Sequence, residues 1–327
     1  MLLTTLRRAA QEHTDVVSAL EHGREHGLIE RAAGGIAEVN ARIVEGTSDR
    51  LRAVPVTRAT VSGLHAFLDG IQRARVKLYA GPVPIVYAYG AAVVRTRAAR
   101  RMVVHAQGLL DEREAVLFPF RLLDPLTVRA WGVAAEHMVD TSPPAQQPLP
   151  LFPPVLIGLA ARAVNRWREG IERNLAGRWC AHAGVDEWLL VDGPLTLSPG
   201  LSAARRAVGL VRSQRTRFFD GDDARLISRL QVGERSSVFQ PHTRRWTPVH
   251  SWYLRLRDPT GRDAFWGLVR VEVAAHAGST QTADRVSGWL LAEVAPLTLP
   301  EARWDHLLYP IHDCKQFLRA RAPTLRG

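Results

Sequence analysis

Two aspartates stand out for the residues around them. Phe67-Leu68-Asp69-Gly70 and Leu189-Leu190-Val191-Asp192-Gly193 each read as an apolar strand that stops at Asp-Gly. A carboxylate just past the last buried position of a strand sits at the sheet's carboxyl edge. Its backbone is held by the sheet while its side chain faces solvent, and the glycine beside it lets the chain turn and a phosphate approach. Two such carboxylates on neighbouring strands suit a hard cation, Mg2+ or Mn2+, which prefers oxygen ligands. Such a cation neutralises the charge that develops in phosphodiester hydrolysis and lowers the pKa of the attacking water. A single Asp-Gly is a common turn, so the repetition carries the weight.

The elements that must position these aspartates follow from periodicity. Leu156, Leu159, Val164, Trp167, Ile171, Leu175 and Trp179 recur at threes and fours, which predicts a helix over 155–181. Arg168 and Glu172 share one face of that helix, four residues apart and just ahead of the Asp192 strand. Glu172 there is a candidate to complete a metal shell; a solvated ion pair with Arg168 explains it equally. Further strands are expected at 75–79, 84–94, 102–110, 207–212, 252–256 and 265–273. Helices are expected at 121–137, 222–230 and 304–322, and either a strand or a short helix at 287–294. The chain divides into a helical segment over 1–60 packed on the core and a main domain over 61–327. In the first segment Leu6, Ala9, Val16, Ala19 and Leu20 keep helical spacing. After a break at Gly23 and Gly27, Ile29, Ala32, Ile36, Val39 and Ile43 resume it. The proline-rich run 140–154 is a crossing between two halves of the main domain.

Charge points to a nucleic-acid partner without locating it: the 327 residues carry a formal net charge of +11. Of the 43 basic residues only Lys77 and Lys315 are lysine, and arginine is the better fork for phosphate. A GC-rich genome gives the same bias. Arg212 ends an apolar strand and is followed by Arg215 and Arg217, a candidate phosphate-facing groove; Arg235 is a further candidate. A solvated arginine-rich surface is the plainer account of each. Arg95, Arg97, Arg100 and Arg101 read as a basic loop. Cys180 and Cys314 form no CxxC pair, which suits free thiols in a reducing compartment. The first residues lack a signal-peptide pattern and no apolar run is long enough to span a membrane, so a cytoplasmic location is expected. The sequence contains no GxSxG elbow, HExxH helix, dinucleotide fingerprint or P-loop, so any ATP-driven movement on DNA must come from a partner.

These features together resemble the NurA nucleases, the partners of HerA-type hexameric ATPase translocases in DNA-end processing. The resemblance rests on Phe67-Leu68-Asp69-Gly70, on Arg168 and Glu172 ahead of Leu189 to Leu195, and on Val208-Gly209-Leu210-Val211-Arg212-Ser213. Val232-Gly233-Glu234-Arg235-Ser236 and Tyr309-Pro310 add to it. The chain departs from the family at Ile71, where a small hydroxyl residue is usual. The resemblance implies an α/β, ribonuclease H-like mixed central sheet flanked by helices. It also implies four metal positions, carried over to Asp69, Glu172, Asp192 and either Asp313 or His312. Oxygen ligation favours Asp313, although capping of the terminal helix explains that residue too. A Mn2+- or Mg2+-dependent deoxyribonuclease is implied, as a homodimer docked on a HerA-like ATPase, in DNA repair or antiviral defence. Two alternatives stand beside it: a catalytically silent DNA-binding or scaffold subunit of such a complex, and a Piwi-like guide-dependent nucleic-acid binder.

Overall fold

Between residues 66 and 98 the chain is dense in Val, Ile, Tyr and Ala, residues that fill a pleated surface, and it is interrupted only by Gly81-Pro82. In the computed structural model this stretch is one long hairpin, turned at Gly81 with φ of 55°. The positive φ at the first turn residue matches the twist of the two strands. The structure describes residues 2–13, 16–18, 36–98, 101–104, 109–184, 186–242, 248–294 and 308–324.

Helix α1 (Leu2–Glu12) opens the chain, followed by strands β1 (Val16–Ser18), β2 (Ala37–Glu38), β3 (Ala41–Ile43) and β4 (Ala53–Pro55). The hairpin is β5 (Ala66–Ala80) and β6 (Val83–Ala98); β7 (Arg101–Val104), β8 (Leu110–Phe118), α2 (Pro125–Ala130) and β9 (Met138–Asp140) follow. Helix α3 (Pro153–His182) leads into β10 (Leu189–Asp192), α4 (Pro199–Ala203), β11 (Ala207–Val211), β12 (Thr216–Arg217) and α5 (Gly221–Arg229). Strands β13 (Glu234–Ser236), β14 (Phe239–Pro241), β15 (Val249–Arg255) and β16 (Leu268–Ala274) precede helices α6 (Ser279–Glu293) and α7 (Tyr309–Arg321).

The protein is α/β, with a large mixed sheet flanked by helices. The main path of the sheet runs β3-β14-β15-β16-β11-β10-β5-β6-β8-β9. Strand β10 lies parallel between β5 and β11, whereas β6 is antiparallel to β5, β7 and β8. Side chains alternate across the sheet, so its two faces carry different helices. Ala66, Leu68, Ala92 and Val94 pack with Ile171, Leu175 and Trp179 of α3. Phe67, Ile71, Ala91 and Val93 share a core with Ile311, Cys314 and Leu318 of α7 and with α6. Trp167 of α3 lies where a Cβ on Gly90 would come within 2.7 Å of its ring, so the bare glycine lets the helix seat closely on β6.

Several expectations are corrected. Among the described residues of 1–60 only α1 is helical; Val16 lies in β1, and β3 and β4 pair with β14 and β13 in the main sheet. Ala19, Leu20, Gly23, Gly27, Ile29 and Ala32 lie outside the described residues. The strand expected to stop at Asp69-Gly70 and the one expected at 75–79 are one continuous β5. Over 121–137 only the short α2 is an α-helix, and 287–294 falls within α6. Pro153 and Pro154, expected in the crossing, open α3, where the first turn has no use for their missing N–H groups. Arg95 and Arg97 lie in β6 and Arg101 in β7, two antiparallel strands that pair, rather than in a loop; Arg100 is outside the described residues. Among the described residues no helix is long and apolar enough to cross a membrane.

Arg235, expected near nucleic acid, is instead a buried strut that is only 1% exposed. Its guanidinium donates to both oxygens of Glu45 at 2.7 and 2.9 Å and to Asp284 at 2.7 Å. Burial pushes the Glu45 carboxyl up, but Arg235 and the Val238 N–H more than reverse this and hold it below its usual range. Arg235→Met would strand Glu45 without its cation. It is expected to cost about 3–5 kcal/mol in chemical denaturation, the scale of breaking one partner of a buried pair.

Candidate active site

The parallel pairing of β5 and β10 runs through Ala66–Leu189, Phe67–Leu190 and Leu68–Val191. Asp69 and Asp192 each follow the last of these pairs, so they lie side by side and on one face. That face is the one α7 covers. Asp69 is 2% exposed, and its Oδ1 accepts a hydrogen bond from the N–H of Gly70 at 2.8 Å. Asp69 does not end its strand, as the sequence suggested: β5 runs on to Ala80 beside β6. The edge is made by β10, which stops at Asp192 and turns away through Gly193, with φ of 146°. That φ suits a glycine and disfavours any side chain.

Beneath the turn, Glu272 of β16 accepts a hydrogen bond from the N–H of Leu195 at 2.8 Å and pairs with Arg270. A Cβ on Gly209 would stand 2.9 Å from the carbonyl oxygen of Gly193, so β11 must be bare at that point. The turn that presents Asp192 is therefore fixed from below by a buried carboxylate and by a missing side chain.

Glu172 reaches the same edge from the opposite face, on α3. A Cβ on Gly70 would meet its Oε1 at 2.2 Å, so the space beside Gly70 that a phosphate was expected to use holds the Glu172 carboxylate. Arg168 pairs with Glu172 one helical turn away, and its Nε donates to Gln72 Oε1 at 3.1 Å. Gln72 in turn donates to Asn165 at 2.8 Å. The pair is buried rather than solvated.

The cations of the site come from three elements. Arg212, at the end of β11, forks onto Asp192: its Nε donates to Oδ1 at 2.8 Å and a terminal nitrogen donates to Oδ2. This corrects its expected phosphate-facing role, because the guanidinium is engaged by the carboxylate. Lys315 of α7 places its Nζ 3.3 Å from Asp69 Oδ2 and 3.6 Å from Asp192 Oδ2. The other proposed ligands on α7 point elsewhere. Asp313 faces Arg95 at 3.0 Å, and His312 is buried beside Gln316, 3.2 Å between their side-chain nitrogens. Arg217 pairs with Glu38 and with Asp220 at 2.9 Å, and Arg215 is exposed. Ile71, the departure noted in the sequence, is buried on the α7 side.

The site therefore unites Asp69, Asp192 and Glu172 and leaves out Asp313. Lys315, Gln72, Asn165 and Glu272 were not foreseen; only the rarity of lysine in this chain marked Lys315. Burial, and then Asp192 beside it, push the Asp69 carboxyl up to about 7 against the pull of Lys315 and Arg212. Burial raises Asp192 too, but Arg212 and Lys315 more than reverse it and hold it below the ordinary carboxylate range. Burial keeps Glu172 above its usual value although Arg168 pulls it down. The chain is thus an α/β protein with a buried carboxylate cluster at the edge of its mixed sheet. No protein-family model matches it, and no curated protein matches it.

Asp69 holds a proton in the fold that the unfolded chain has already released. The stability this proton contributes is present at low pH and is lost as pH rises from about 4 to about 7. Asp69→Asn, which removes only the charge, should therefore melt with the wild type near about pH 4 and progressively above it as pH rises to about pH 8. Asp192→Asn deprives Arg212 of its carboxylate and leaves Lys315 with Asp69 alone, and should lose about 3 kcal/mol at either pH. Thermal melts of the three proteins check both; a D69N difference that does not change with pH contradicts the assignment.

Proposed function

We propose that the protein is a divalent-metal-dependent deoxyribonuclease with a ribonuclease H-like core. The observation that carries this reading is the side-by-side burial of Asp69 and Asp192 on parallel strands, with Glu172 brought to the same edge. The core order β8-β6-β5-β10-β11, mixed by the single antiparallel strand β6 and covered by α3 and α7, supports the ribonuclease H-like assignment. The NurA-like motifs support DNA as substrate, a homodimer and a HerA-like ATPase partner, in repair or antiviral defence.

The donor chemistry suits a hard cation: all three carboxylates are deeply placed, and Asp69 Oδ2 is buried without a hydrogen bond. As they stand, no three acidic, histidine or cysteine side chains among the described residues are grouped to hold an ion. Asp69, Asp192 and Glu172 are the residues that would do so. The ion would neutralise phosphate charge and acidify a bound water. Arg212 keeps Asp192 ionised and fixes the plane of its carboxylate. Arg168 fixes the position of Glu172, while Gly193, in the Glu272-braced turn, adds no side chain of its own.

A second reading, a silent DNA-binding subunit, draws on the same contacts, because Arg168, Arg212 and Lys315 already compensate the three carboxylates. One assay separates the two. Labelled linear DNA incubated with wild type should be cut with Mn2+ and left intact with chelator. D192N should lose at least about a hundredfold in rate, the scale of removing one preorganised charge-stabilising group. DNA binding without any Mn2+-dependent cutting, in wild type and D192N alike, favours the silent subunit.

A further inference from the structure

Lys315 stands within ion-pair distance of both aspartates. Its Nζ stands 3.3 Å from Asp69 Oδ2 and 3.6 Å from Asp192 Oδ2, and its side chain is 14% exposed. The residue type is informative because the chain uses lysine at only two of its 43 basic positions. Arginine would present a planar fork, and Arg212 already uses that fork on Asp192. An ammonium is instead a compact point charge on a flexible four-carbon stem, able to sit between two separate carboxylates and to leave without a defined geometry to break. The contact to Asp69 is of that kind, since Oδ2 receives no hydrogen bond although the ammonium is near.

Around the lysine, α7 is firmly seated. Ile311, Cys314 and Leu318 are in the core, the Cys314 thiol lies 3.4 Å from the Phe67 carbonyl oxygen, and Asp313 is held by Arg95. The helix is fixed; the free variable is the Lys315 stem.

We propose that Lys315 is a built-in cation that occupies the space between Asp69 and Asp192, competes with a divalent ion for it, and swings out when the ion enters. The inference rests on the reading that these carboxylates take metal. A doubly charged ion is attracted to the pair more strongly than one ammonium, so entry is an exchange of cations rather than the filling of a vacant cage. The displaced ammonium then stands beside the site, where a substrate phosphate would bring negative charge.

Two measurements test the exchange. In Mn2+ titrations followed by electron paramagnetic resonance, Lys315→Gln should bind Mn2+ roughly tenfold tighter than wild type, the lower end of the effect that neighbours of a ligand have on metal affinity. Lys315→Arg should not gain affinity. Equal or weaker binding by K315Q overturns the proposal. The second measurement needs no variant: amine-reactive labelling of wild type, read by mass spectrometry with Lys77 as internal reference. Saturating Mn2+ should raise labelling of Lys315 severalfold, and unchanged or reduced labelling also overturns the proposal; if K315Q does not fold, this labelling decides. Tighter Mn2+ binding by K315Q with no DNA cutting by wild type keeps the exchange and removes the nuclease reading. Mn2+-dependent cutting with equal affinities does the reverse.

Discussion

Two carboxylates set side by side by a parallel strand pair, and then buried, cannot both remain charged unless cations are brought to them. Like charges about 4 Å apart repel by about 4 kcal/mol at the effective dielectric typical of proteins, and desolvation adds to that. Much of the architecture answers this one demand. Arg212 comes from the end of β11, Lys315 from α7, and Arg168 from the helix that carries Glu172. The three are far apart in the chain, so charge balance exists only once the sheet has formed and the last helix has docked. The core contacts of Ile311, Cys314 and Leu318 that seat α7 are thereby linked to the protonation of Asp69.

The two aspartates do not share this compensation equally. Asp192 receives a forked guanidinium and a share of the ammonium and stays ionised; Asp69 has the ammonium and its own neighbour's N–H, and retains its proton to about 7. The asymmetry follows from the direction of the chain. Strand β11 is parallel to β10 and adjacent to it, so a basic residue just past its end lies next to Asp192. On the other side of β5, β6 runs antiparallel, and the residue opposite Asp69 is the apolar Val93. The sheet supplies a cation on one side only.

Much of this was legible in the sequence where the relevant contacts are local. The α3 periodicity, the Arg168–Glu172 spacing and the apolar approach to Asp192 are all short-range, and the structure keeps them. The twin Asp-Gly pattern led correctly to paired carboxylates, but for a partly mistaken reason. Gly193 serves a turn, whereas Gly70 lies inside a continuous strand and leaves room for Glu172. Spacing cannot tell a turn glycine from a clearance glycine, because the clearance depends on a helix about a hundred residues away. The same limit explains α7. Tyr309-Pro310 opens the helix that covers the aspartates, but which of His312, Asp313 and Lys315 faces them depends on how the helix is rotated. Asp313 meets Arg95 of β6 instead. Strand β3 was read as helix and the stretch that holds β4 as a connection, since both are too short to show alternation, and they are held by pairing with β14 and β13.

The faces of the sheet limit what the three carboxylates can share. Asp69 and Asp192 project on the α7 side, whereas Glu172 arrives on α3 from the other side and stops against the bare Cα of Gly70. In a complete sheet the backbone would separate them. Here β10 ends at Asp192 while β5 continues, so among the described residues no strand pairs with β5 beside Gly70 on that side, which leaves a notch there. A group held by all three must lie in that notch, level with the sheet, where neither Gly70 nor Gly193 offers a side chain to exclude it. The early stop of one strand is thus as necessary to a shared site as the acidic residues themselves.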